Sequence, residues 1–594
     1  MSEYMDFCIT NDPRVRPTGF DRTVDCGRFH LSVCEPTGER RFWSKEQGNC
    51  YLFVFGRMFV PVDDAFFNKL DLAFSNAQYH CAMAADGEYI CGRIDKTTEA
   101  LLVISEQAGV IPLWYRTDTK AITVTTRQSL LFRDFSLGDL NVCAVNDYLR
   151  FGCLIGAETL SESVLKLAGG SSLFYNGGTP AVQRHDRFYY HDAENDIDTL
   201  MQTVAESYRA AIRKRLAGRE QDTCVFLSGG LDSRFLLAEM NKALPRRVAT
   251  CSFGQPLSEE VNVARACAAV GQNPFTWIRV DPADFVSRAA DWEKAVCGAD
   301  MFPQSYILGA VEKIPARGFV TGYILDAFLG GTFLSEDALT YEGPLSDYVH
   351  THQKQIKMNV FSKAELQDLA VSSEAAALFD RDDAGLVEAA GEYDGLPVCD
   401  CVQAFAVDQR AKNLVLLREV IPAAHKDCTW PSCDKQFAQT VAHIPAAWRL
   451  HHAFYHDLFR SEAPEYAKIV YNNTQLPALA PVSEWVAGAK AEAEREKRFE
   501  QIMSTYNAAH EDKLYYPHYY SDFNGYSRYD PDWQALFRRW LFADDAILTR
   551  TLFDRDKLMH FLKEHTAGIC NRRRELVYMT SLEIFLRVAT GQDR

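Results

Sequence analysis

Two patterns of hydrophobic and polar residues divide the chain near residue 190. Before that point, short apolar or alternating runs such as YLFVFGRMFV and KAITVTTRQSLL are separated by turns. The runs are rich in Val, Ile, Thr and Tyr, which favour pleated strands. This part of the sequence therefore predicts stacked antiparallel sheets.

From about residue 197, strands alternate with amphipathic helices. Helix DIDTLMQTVAESYRAAIRKRLAG is followed by strand TCVFLS, helix DSRFLLAEMNKAL, strand RRVATCSFG, helix LSEEVNVARACAAVG and strand FTWIRV. Such alternation is typical of a doubly wound parallel sheet. The predicted fold class is α/β, with domains at 1–190, 197–480 and 481–594. The last is expected to be a helical, aromatic-rich extension of the second.

Composition narrows the function. The net charge of −17 argues against a nucleic-acid partner, because phosphate binding needs clustered Lys and Arg. No apolar run is long enough to span a bilayer, and the N-terminus lacks the pattern of a secretory signal. The 17 cysteines are scattered, which favours free thiols over zinc sites or disulfides. We expect a cytoplasmic protein with no membrane partner.

The turn SGGLDS at 228–233 joins the first strand of the predicted parallel sheet to a helix. Ligands bind α/β proteins at the carboxyl ends of such strands. Glycines there let backbone N–H groups approach an anion, and the helix N-terminus adds partial positive charge. Asp232 would repel a phosphate directly but can hold a magnesium ion that binds one. The alternative is a glycine-rich turn whose Asp232 and Ser233 only cap the helix.

SGGLDS resembles the pyrophosphate loop of the N-type ATP pyrophosphatases, and the chain resembles their asparagine-synthetase-like branch. The resemblance implies that ATP adenylates a carboxylate and that an amine then displaces AMP. TGYILD at 321–326 resembles the family's second loop, so Asp326 would share magnesium with Asp232. The ATP site implied by these motifs comprises Leu227, Ser228, Gly229, Gly230, Asp232, Ser233, Ser252, Phe253, Gly254, Thr321 and Gly322.

The N-terminal part resembles the family's glutamine amidotransferase domain, an N-terminal-nucleophile fold. The family's active amidotransferases begin Met-Cys, whereas residue 2 here is serine and Cys8 is internal. Ser2 as a nucleophile has no precedent in the family, and exposing Cys8 would need a processing cut that nothing in the sequence marks. We therefore expect a degenerate domain that makes no ammonia and serves as a scaffold.

Three residues are candidates for catalysis. Tyr323 stands where asparagine synthetases have glutamate, which resembles β-lactam synthetase, where a tyrosine oriented by a glutamate deprotonates the amine. Glu419 is the candidate partner, since a phenol of pKa about 10 needs help to act as a base. Lys468 is the candidate cation for developing negative charge, from the resemblance of APEYAKIVYNNTQLP to a family segment. Each could instead be a packing or surface residue.

Several functions remain open at this point. The first is an amide-forming synthetase whose amine comes from its own substrate, as in β-lactam synthetase or lasso peptide cyclases. The substrate carboxylate would belong to a small molecule or a precursor peptide, and a biosynthetic partner protein is also possible. The second is amidation of a metabolite or sugar carboxylate with ammonia. A non-catalytic scaffold is the third, although the intact aspartates argue against it. A nucleic-acid-modifying enzyme is disfavoured by the charge. ATP and Mg²⁺ are the expected cofactors.

Overall fold

The computed structural model describes residues 6–592 except 16, 35–39, 119, 192–195, 354–355, 357, 382 and 424–425. Ser2 therefore lies outside the described residues. The N-terminal part contains twelve described strands: β1 Phe7–Thr10, β2 Arg22–Cys26, β3 Phe29–Val33, β4 Arg41–Gln47, β5 Cys50–Met58, β6 Gly87–Asp95, β7 Ala100–Ser105, β8 Leu113–Asp118, β9 Ala121–Thr125, β10 Val164–Leu167, β11 Ser171–Tyr175 and β12 Ala181–Arg184.

These strands form two antiparallel sheets that enclose an apolar core. The first sheet has the order β10-β8-β9-β1-β3-β2 and the second β12-β11-β7-β6-β5-β4. Phe7 of β1 packs against Phe53 and Phe55 of β5, with ring centroids 5.4 and 5.5 Å apart. Alternate residues of the central strands face this core, such as Phe7 and Ile9 of β1 and Leu101 and Val103 of β7. The predicted stacked antiparallel sheets are confirmed.

The second part is built on a five-stranded parallel sheet. Its strands are β13 Thr223–Phe226, β14 Ala249–Gly254, β15 Phe275–Arg279, β16 Gly318–Val320 and β17 Asp427–Thr429. Their order is β15-β14-β13-β16-β17, so the chain builds outward from β13 in one direction and then in the other. The switch point lies between β13 and β16, where doubly wound sheets open a crevice. The predicted α/β class is confirmed. A separate two-stranded antiparallel pair is formed by β18 Val470–Tyr471 and β19 Leu476–Pro477.

Helices cover the parallel sheet and fill most of the chain after it. Asp196 caps the first of them, α4, by accepting from the backbone N–H of Thr199, and three basic residues end it. A π-helical stretch, Val407–Val415, joins α15 to α16. The described α-helices are α1 Asp64–Ser75, α2 Tyr79–Met83, α3 Val142–Phe151, α4 Ile197–Leu216, α5 Leu231–Ala243, α6 Glu259–Gly271, α7 Ala289–Val296, α8 Tyr306–Glu312, α9 Leu325–Leu329, α10 Glu336–Thr340, α11 Leu345–Thr351, α12 Lys363–Leu369, α13 Ser373–Leu378, α14 Ala384–Gly391, α15 Val398–Ala406, α16 Leu416–Ala423, α17 Lys435–Val441, α18 Ala446–Arg449, α19 Ala453–Glu462, α20 Pro464–Ala467, α21 Val482–Ala509, α22 Phe523–Tyr529, α23 Pro531–Trp540, α24 Ile547–Thr551, α25 Arg555–Thr566 and α26 Arg573–Ala589.

Among the helices in the described part of the chain, none is long and apolar enough to cross a membrane.

A buried network of ion pairs joins the antiparallel sheets to the parallel-sheet part. Arg57 of β5 contacts Glu88 of β6 at 3.0 Å and Asp427 of β17 at 2.6 Å. Arg215 of α4 contacts the same Glu88 at 3.0 Å and Asp434 at 2.6 Å. All five side chains are almost fully buried. Because a buried charge is costly without its partner, this network holds the two parts in one fixed arrangement.

Candidate active site

The turn SGGLDS connects β13 to α5, as its sequence predicts. Close approach of neighbouring atoms, rather than an unusual φ, excludes a side chain at Gly229 and leaves little room for one at Gly230. A Cβ on Gly229 would lie 2.5 Å from the Cβ of Asn472, and one on Gly230 would lie 3.2 Å from the hydroxyl of Ser228. The backbone N–H of Gly230 donates to that hydroxyl at 3.1 Å. The turn is therefore a tight loop at the N-terminus of a 13-residue helix.

Arg234 holds this loop in place. It is fully buried, and its guanidinium donates to the carbonyl oxygens of Gly229, Gly230, Ile469 and Val470 at 2.8–3.2 Å. Its donors point at backbone oxygens of the loop and of β18. Arg234 therefore fixes the conformation of the loop in this structure, and its donors are not directed at a phosphate site.

The second loop, after β16, comes against the first. A Cβ on Gly322 would lie 2.8 Å from the Cβ of Asp232, which explains why glycine stands there. Ile324 adopts the left-handed conformation (φ 54°), an uncommon one for a β-branched residue. Strained backbone of this kind is concentrated at functional loops. The strain lies between Tyr323 and Asp326, two of the predicted site residues.

Asp232 and Asp326 are brought together, as the sequence predicts. Asp232 accepts from the backbone N–H of Asp326 at 3.2 Å and from the Tyr455 hydroxyl at 2.9 Å. Thr332 donates to the Asp326 carboxylate at 2.7 Å. Burial, and then the neighbouring Asp326, raise the pKa of Asp232 well above its usual range. Two adjacent carboxylates in a buried site are an arrangement that a cation would stabilise.

A cleft of about 340 Å³ opens over both loops at the switch point of the sheet. This is within the usual size of small-molecule sites. Of the predicted ATP residues, it is lined by Leu227, Ser228, Asp232, Ser233, Ser252, Phe253, Thr321 and Gly322. Gly229, Gly230 and Gly254 belong to the same turns without lining the cleft. Gly254 instead packs on α6, where an added Cβ would lie 2.3 Å from Val261.

Glu419 also lines the cleft, on α16. Its carboxylate accepts from the Thr321 hydroxyl at 2.9 Å and from the Trp430 indole N–H at 3.3 Å. Burial raises its pKa to about 7, and these two hydrogen bonds only partly offset the effect. A carboxyl group with a pKa near 7 is suited to general base catalysis at neutral pH.

Tyr323 lines the same cleft but is not oriented by Glu419. Its ring is buried, and its hydroxyl has no hydrogen-bond partner among the described residues. Its carbonyl accepts from the Ser432 hydroxyl, which fixes the backbone of the loop. Burial, with a smaller effect from Cys433 and Glu419, raises the pKa of the phenol well above 10. Tyr323 and Glu419 thus line the same cleft, but only the carboxyl group of Glu419 has a pKa near neutrality.

The structure does not bring Lys468 into the cleft. It follows α20, its side chain is 59% exposed, and it pairs with Glu465 at 2.7 Å. Lys468 directly follows the end of α20, so local helix geometry places the two side chains together. The cation that lines the cleft is Arg418, next to Glu419, which donates twice to the fully buried Asp300 at 2.8 Å. The sequence did not indicate Arg418, because the resemblance of residues 463–477 to a family segment favoured Lys468 as the cation.

The tyrosine-rich segment 515–529 also reaches the cleft. Tyr520 lines it, together with Tyr306 and Phe253, and the ring centroids of Tyr306 lie 5.8 and 6.0 Å from those of its two neighbours. Glu260 accepts from the backbone N–H groups of both Gly229 and Tyr520, at 3.3 and 3.0 Å. The C-terminal extension is therefore attached directly to the glycine turn. Its unusual tyrosine content was the only sequence signal for this.

The thiol of Cys8 in the N-terminal part is not available as a nucleophile. That thiol is fully buried, and burial raises its pKa to about 12. A thiol attacks only as the thiolate, so Cys8 is inert in this structure.

The fold and the cleft define a class of protein: a doubly wound α/β nucleotide-binding enzyme with a glycine turn and paired carboxylates at the switch point. The family model for asparagine synthase matches residues 203–587, well over half of the chain. The chain belongs to the asparagine synthase family, and this family carries out ATP-dependent carbon–nitrogen ligation. The branch within the family is not decided by this match.

The chain was also compared with curated proteins and with solved structures. No curated protein is significantly similar in sequence to the chain. Among solved structures, the chain is similar to the glutamine phosphoribosylpyrophosphate amidotransferase from B. subtilis complexed with ADP and GMP. The identity is 9%, the TM-score is 0.19, and the match covers 46% of this chain and 84% of that one.

Proposed function

We propose that the protein is an ATP-dependent synthetase that adenylates a substrate carboxylate, releases pyrophosphate, and joins the acyl group to an amine of the same substrate. The product is a lactam or macrolactam. The observation that carries the proposal is Glu419, a carboxyl group with a pKa of about 7 on the wall of the cleft that holds the glycine turn. A base near neutrality is what an amine nucleophile requires.

The glycine turn and the start of α5 are suited to the phosphates of ATP. Backbone N–H groups and the partial positive end of a helix bind anions without a lysine. The aromatic wall of Phe253, Tyr306 and Tyr520 offers ring faces and edges to the purine. The substrate carboxylate attacks the α-phosphorus, an oxygen–phosphorus bond forms, and pyrophosphate leaves.

Asp232 and Asp326 would hold magnesium. No group of three or more acidic, His or Cys ligands occurs in the described residues, but magnesium in nucleotide sites uses one or two carboxylates plus the substrate phosphates. The raised pKa of Asp232 beside Asp326 fits this donor set. Bound there, the ion would neutralise charge on the triphosphate. The protein's own part is to keep the two carboxylates oriented through Tyr455 and Thr332.

In the second half-reaction, the amine attacks the acyl carbon and AMP leaves. Glu419 takes the proton from the attacking nitrogen, and Arg418 offsets negative charge on the acyl and phosphate oxygens. Tyr323 borders the reacting groups and shapes the cleft. We assign the amine to the substrate rather than to glutamine, since the Cys8 thiol is buried and burial raises its pKa to about 12.

The decisive experiment measures substrate-dependent exchange of labelled pyrophosphate into ATP with a panel of carboxylates and peptides. A true substrate should support exchange in wild type and not in Asp232→Asn. The product mass then identifies the amine. Loss of one water from the substrate indicates intramolecular coupling, whereas loss of water with gain of ammonia indicates amidation. Finding the second mass would refute lactam formation.

A further inference from the structure

Gln304 lines the synthetase cleft but belongs to neither of the two loops that form the ATP site. It lies in a short 3₁₀ turn, Phe302–Ser305, directly before α8. The N–H of Gln304 donates to the carbonyl oxygen of Met301 at 3.1 Å, and the Ser305 hydroxyl donates to the carbonyl oxygen of Phe285 at 3.1 Å. These bonds fix the backbone of Gln304, so its side chain starts from a defined position on the wall of the cleft.

The side-chain amide of Gln304 is buried without a protein partner. Only 7% of the residue is exposed, and the amide makes no hydrogen bond with any residue in the described part of the chain. A primary amide has two donor hydrogens and an acceptor oxygen, and such groups are normally satisfied when they are buried. Because Gln304 lines the cleft, we expect its partner to be a molecule bound there.

The chain just before this turn also fixes the orientation of Arg418. The fully buried Asp300 accepts from Nε and Nη2 of Arg418, both at 2.8 Å, and from the backbone N–H of Met301 at 2.8 Å. Among the described residues, Asp300 is the only acceptor for this guanidinium, so the hydrogens of Nη1 remain available on the cleft wall. Since Asp300 balances its charge, Arg418 contributes directed donors to the cleft rather than an excess positive charge.

The cleft otherwise offers few donors to a developing negative charge. The carboxyl groups of Asp232, Glu260 and Glu419 line it, and Arg418 is the only Lys, Arg or His side chain in its described lining. An oxygen that gains negative charge during a reaction is stabilised by N–H donors already in place, and a glutamine amide can supply one. Gln304 follows Asp300 by four residues, and Arg418 precedes Glu419, the proposed base, by one. This connection favours the acyl group as the partner of Gln304.

We propose that Gln304 is a further catalytic residue, which donates an amide N–H to the acyl oxygen of the substrate together with Arg418. The proposal rests on the proposed adenylation and amine attack. When the amine attacks the acyl carbon, the electron pair of the C=O double bond moves to the oxygen, and it returns as AMP leaves. Gln304 and Arg418 stabilise that oxygen between the two events.

The test uses two compounds that differ only in the acyl group, 5′-O-sulfamoyladenosine and its N-acetyl derivative. Both carry the nucleoside of an adenylate, and only the second carries an acyl oxygen. Calorimetric titration into the full-length protein measures both dissociation constants. Gln304→Met keeps the length of the side chain and removes its donors. It should weaken binding of the acetyl derivative about tenfold, near the upper range for one hydrogen bond, and leave binding of sulfamoyladenosine unchanged.

Two other variants complete the experiment. Gln304→Asn withdraws the amide by one methylene group and should show the same selective loss; it decides the question if Gln304→Met departs from wild type in its circular dichroism. Gln202→Met changes an exposed residue of α4 outside the cleft and should bind both compounds as wild type does.

Two results would overturn the role of Gln304. Equal weakening of both compounds would assign the residue to the purine or to the fold, since Tyr306, two residues further on, belongs to the aromatic wall of the cleft. Unchanged binding of the acetyl derivative would show that no hydrogen bond is made to the acyl oxygen. Wild type that binds neither compound would instead refute the adenylate site, and with it the proposed function. Failure of the reaction and failure of this residue are therefore distinguished by the wild-type titration.

Discussion

Replacing Glu419 by glutamine removes one ionisable proton and almost nothing else. The amide oxygen of glutamine can still accept from Thr321 and Trp430, so both hydrogen bonds survive. If Glu419 takes the proton from the attacking amine, product formation should fall by about 10²- to 10⁴-fold, the usual contribution of a general base. Pyrophosphate exchange should persist, because adenylation precedes the deprotonation.

The same substitution should stabilise the fold at high pH. The pKa of Glu419 rises from 4.5 to about 7 on folding, which corresponds to about 3 kcal/mol and is an upper value for a group on a cleft wall. An acid whose pKa is raised on folding binds its proton more tightly when folded. Wild type therefore loses stability as pH rises from about 4.5 to 7 and stays at the lower level above 7.

Thermal unfolding at pH 5 and pH 8 measures this pH dependence of stability. Glu419→Gln should unfold at a higher temperature than wild type at pH 8, and the difference should shrink at pH 5. Glu465→Gln, an exposed carboxylate paired with Lys468, is the matched control and should show little difference at either pH. Wild-type kcat/KM should rise with pH through about 7. A variant with normal product formation, or equal losses of exchange and product, would refute the assignment of the base.

Four further outcomes follow from the cleft. Asp326→Asn should abolish magnesium-dependent pyrophosphate exchange, measured with labelled pyrophosphate, while the circular dichroism spectrum stays unchanged. Tyr323→Phe, which deletes a buried hydroxyl with no described partner, should not lower the thermal midpoint; a product rate that collapses while exchange persists would instead make its phenol part of the proton transfer. Arg418→Lys should raise the KM for substrate at least tenfold, whereas Lys468→Ala should leave it unchanged, and the reverse result would restore the lysine. Amide-labelled glutamine should leave no label in the product by mass spectrometry.

The sequence predicted the parts of the site that lie within one strand–loop–helix unit. SGGLDS and the loop containing Asp326 end adjacent parallel strands, so their neighbourhood follows from topology. Contacts between distant elements could not be predicted in this way. Tyr455 reaches Asp232 across 223 residues, and Tyr520 meets Glu260 across 260. Lys468 shows the limit most clearly: its segment resembles the family, yet one turn of helix pairs it with Glu465 at the surface.

The domain limits at 190, 197 and 480 remain predictions. The tyrosine-rich segment is attached to the glycine turn through Glu260, so the extension contributes directly to the cleft. Its contribution is tertiary packing, which hydrophobic periodicity does not encode.

The ion pairs around Arg57 and Glu88 have a consequence for modular engineering. Cutting the chain between the two parts would remove Arg57 and Glu88, so Asp427 and Arg215 would each lose one buried ion-pair partner. Asp427 would keep Arg219, and Asp434 would keep Arg215 and Lys214. The cut would also expose the apolar core that the two parts share, so the synthetase part should aggregate when it is expressed alone. Grafting a working glutaminase in place of the N-terminal sheets would require transplanting Arg57 and Glu88 as well. The N-terminal part can therefore be exchanged only together with the buried charges that bind it to the synthetase part.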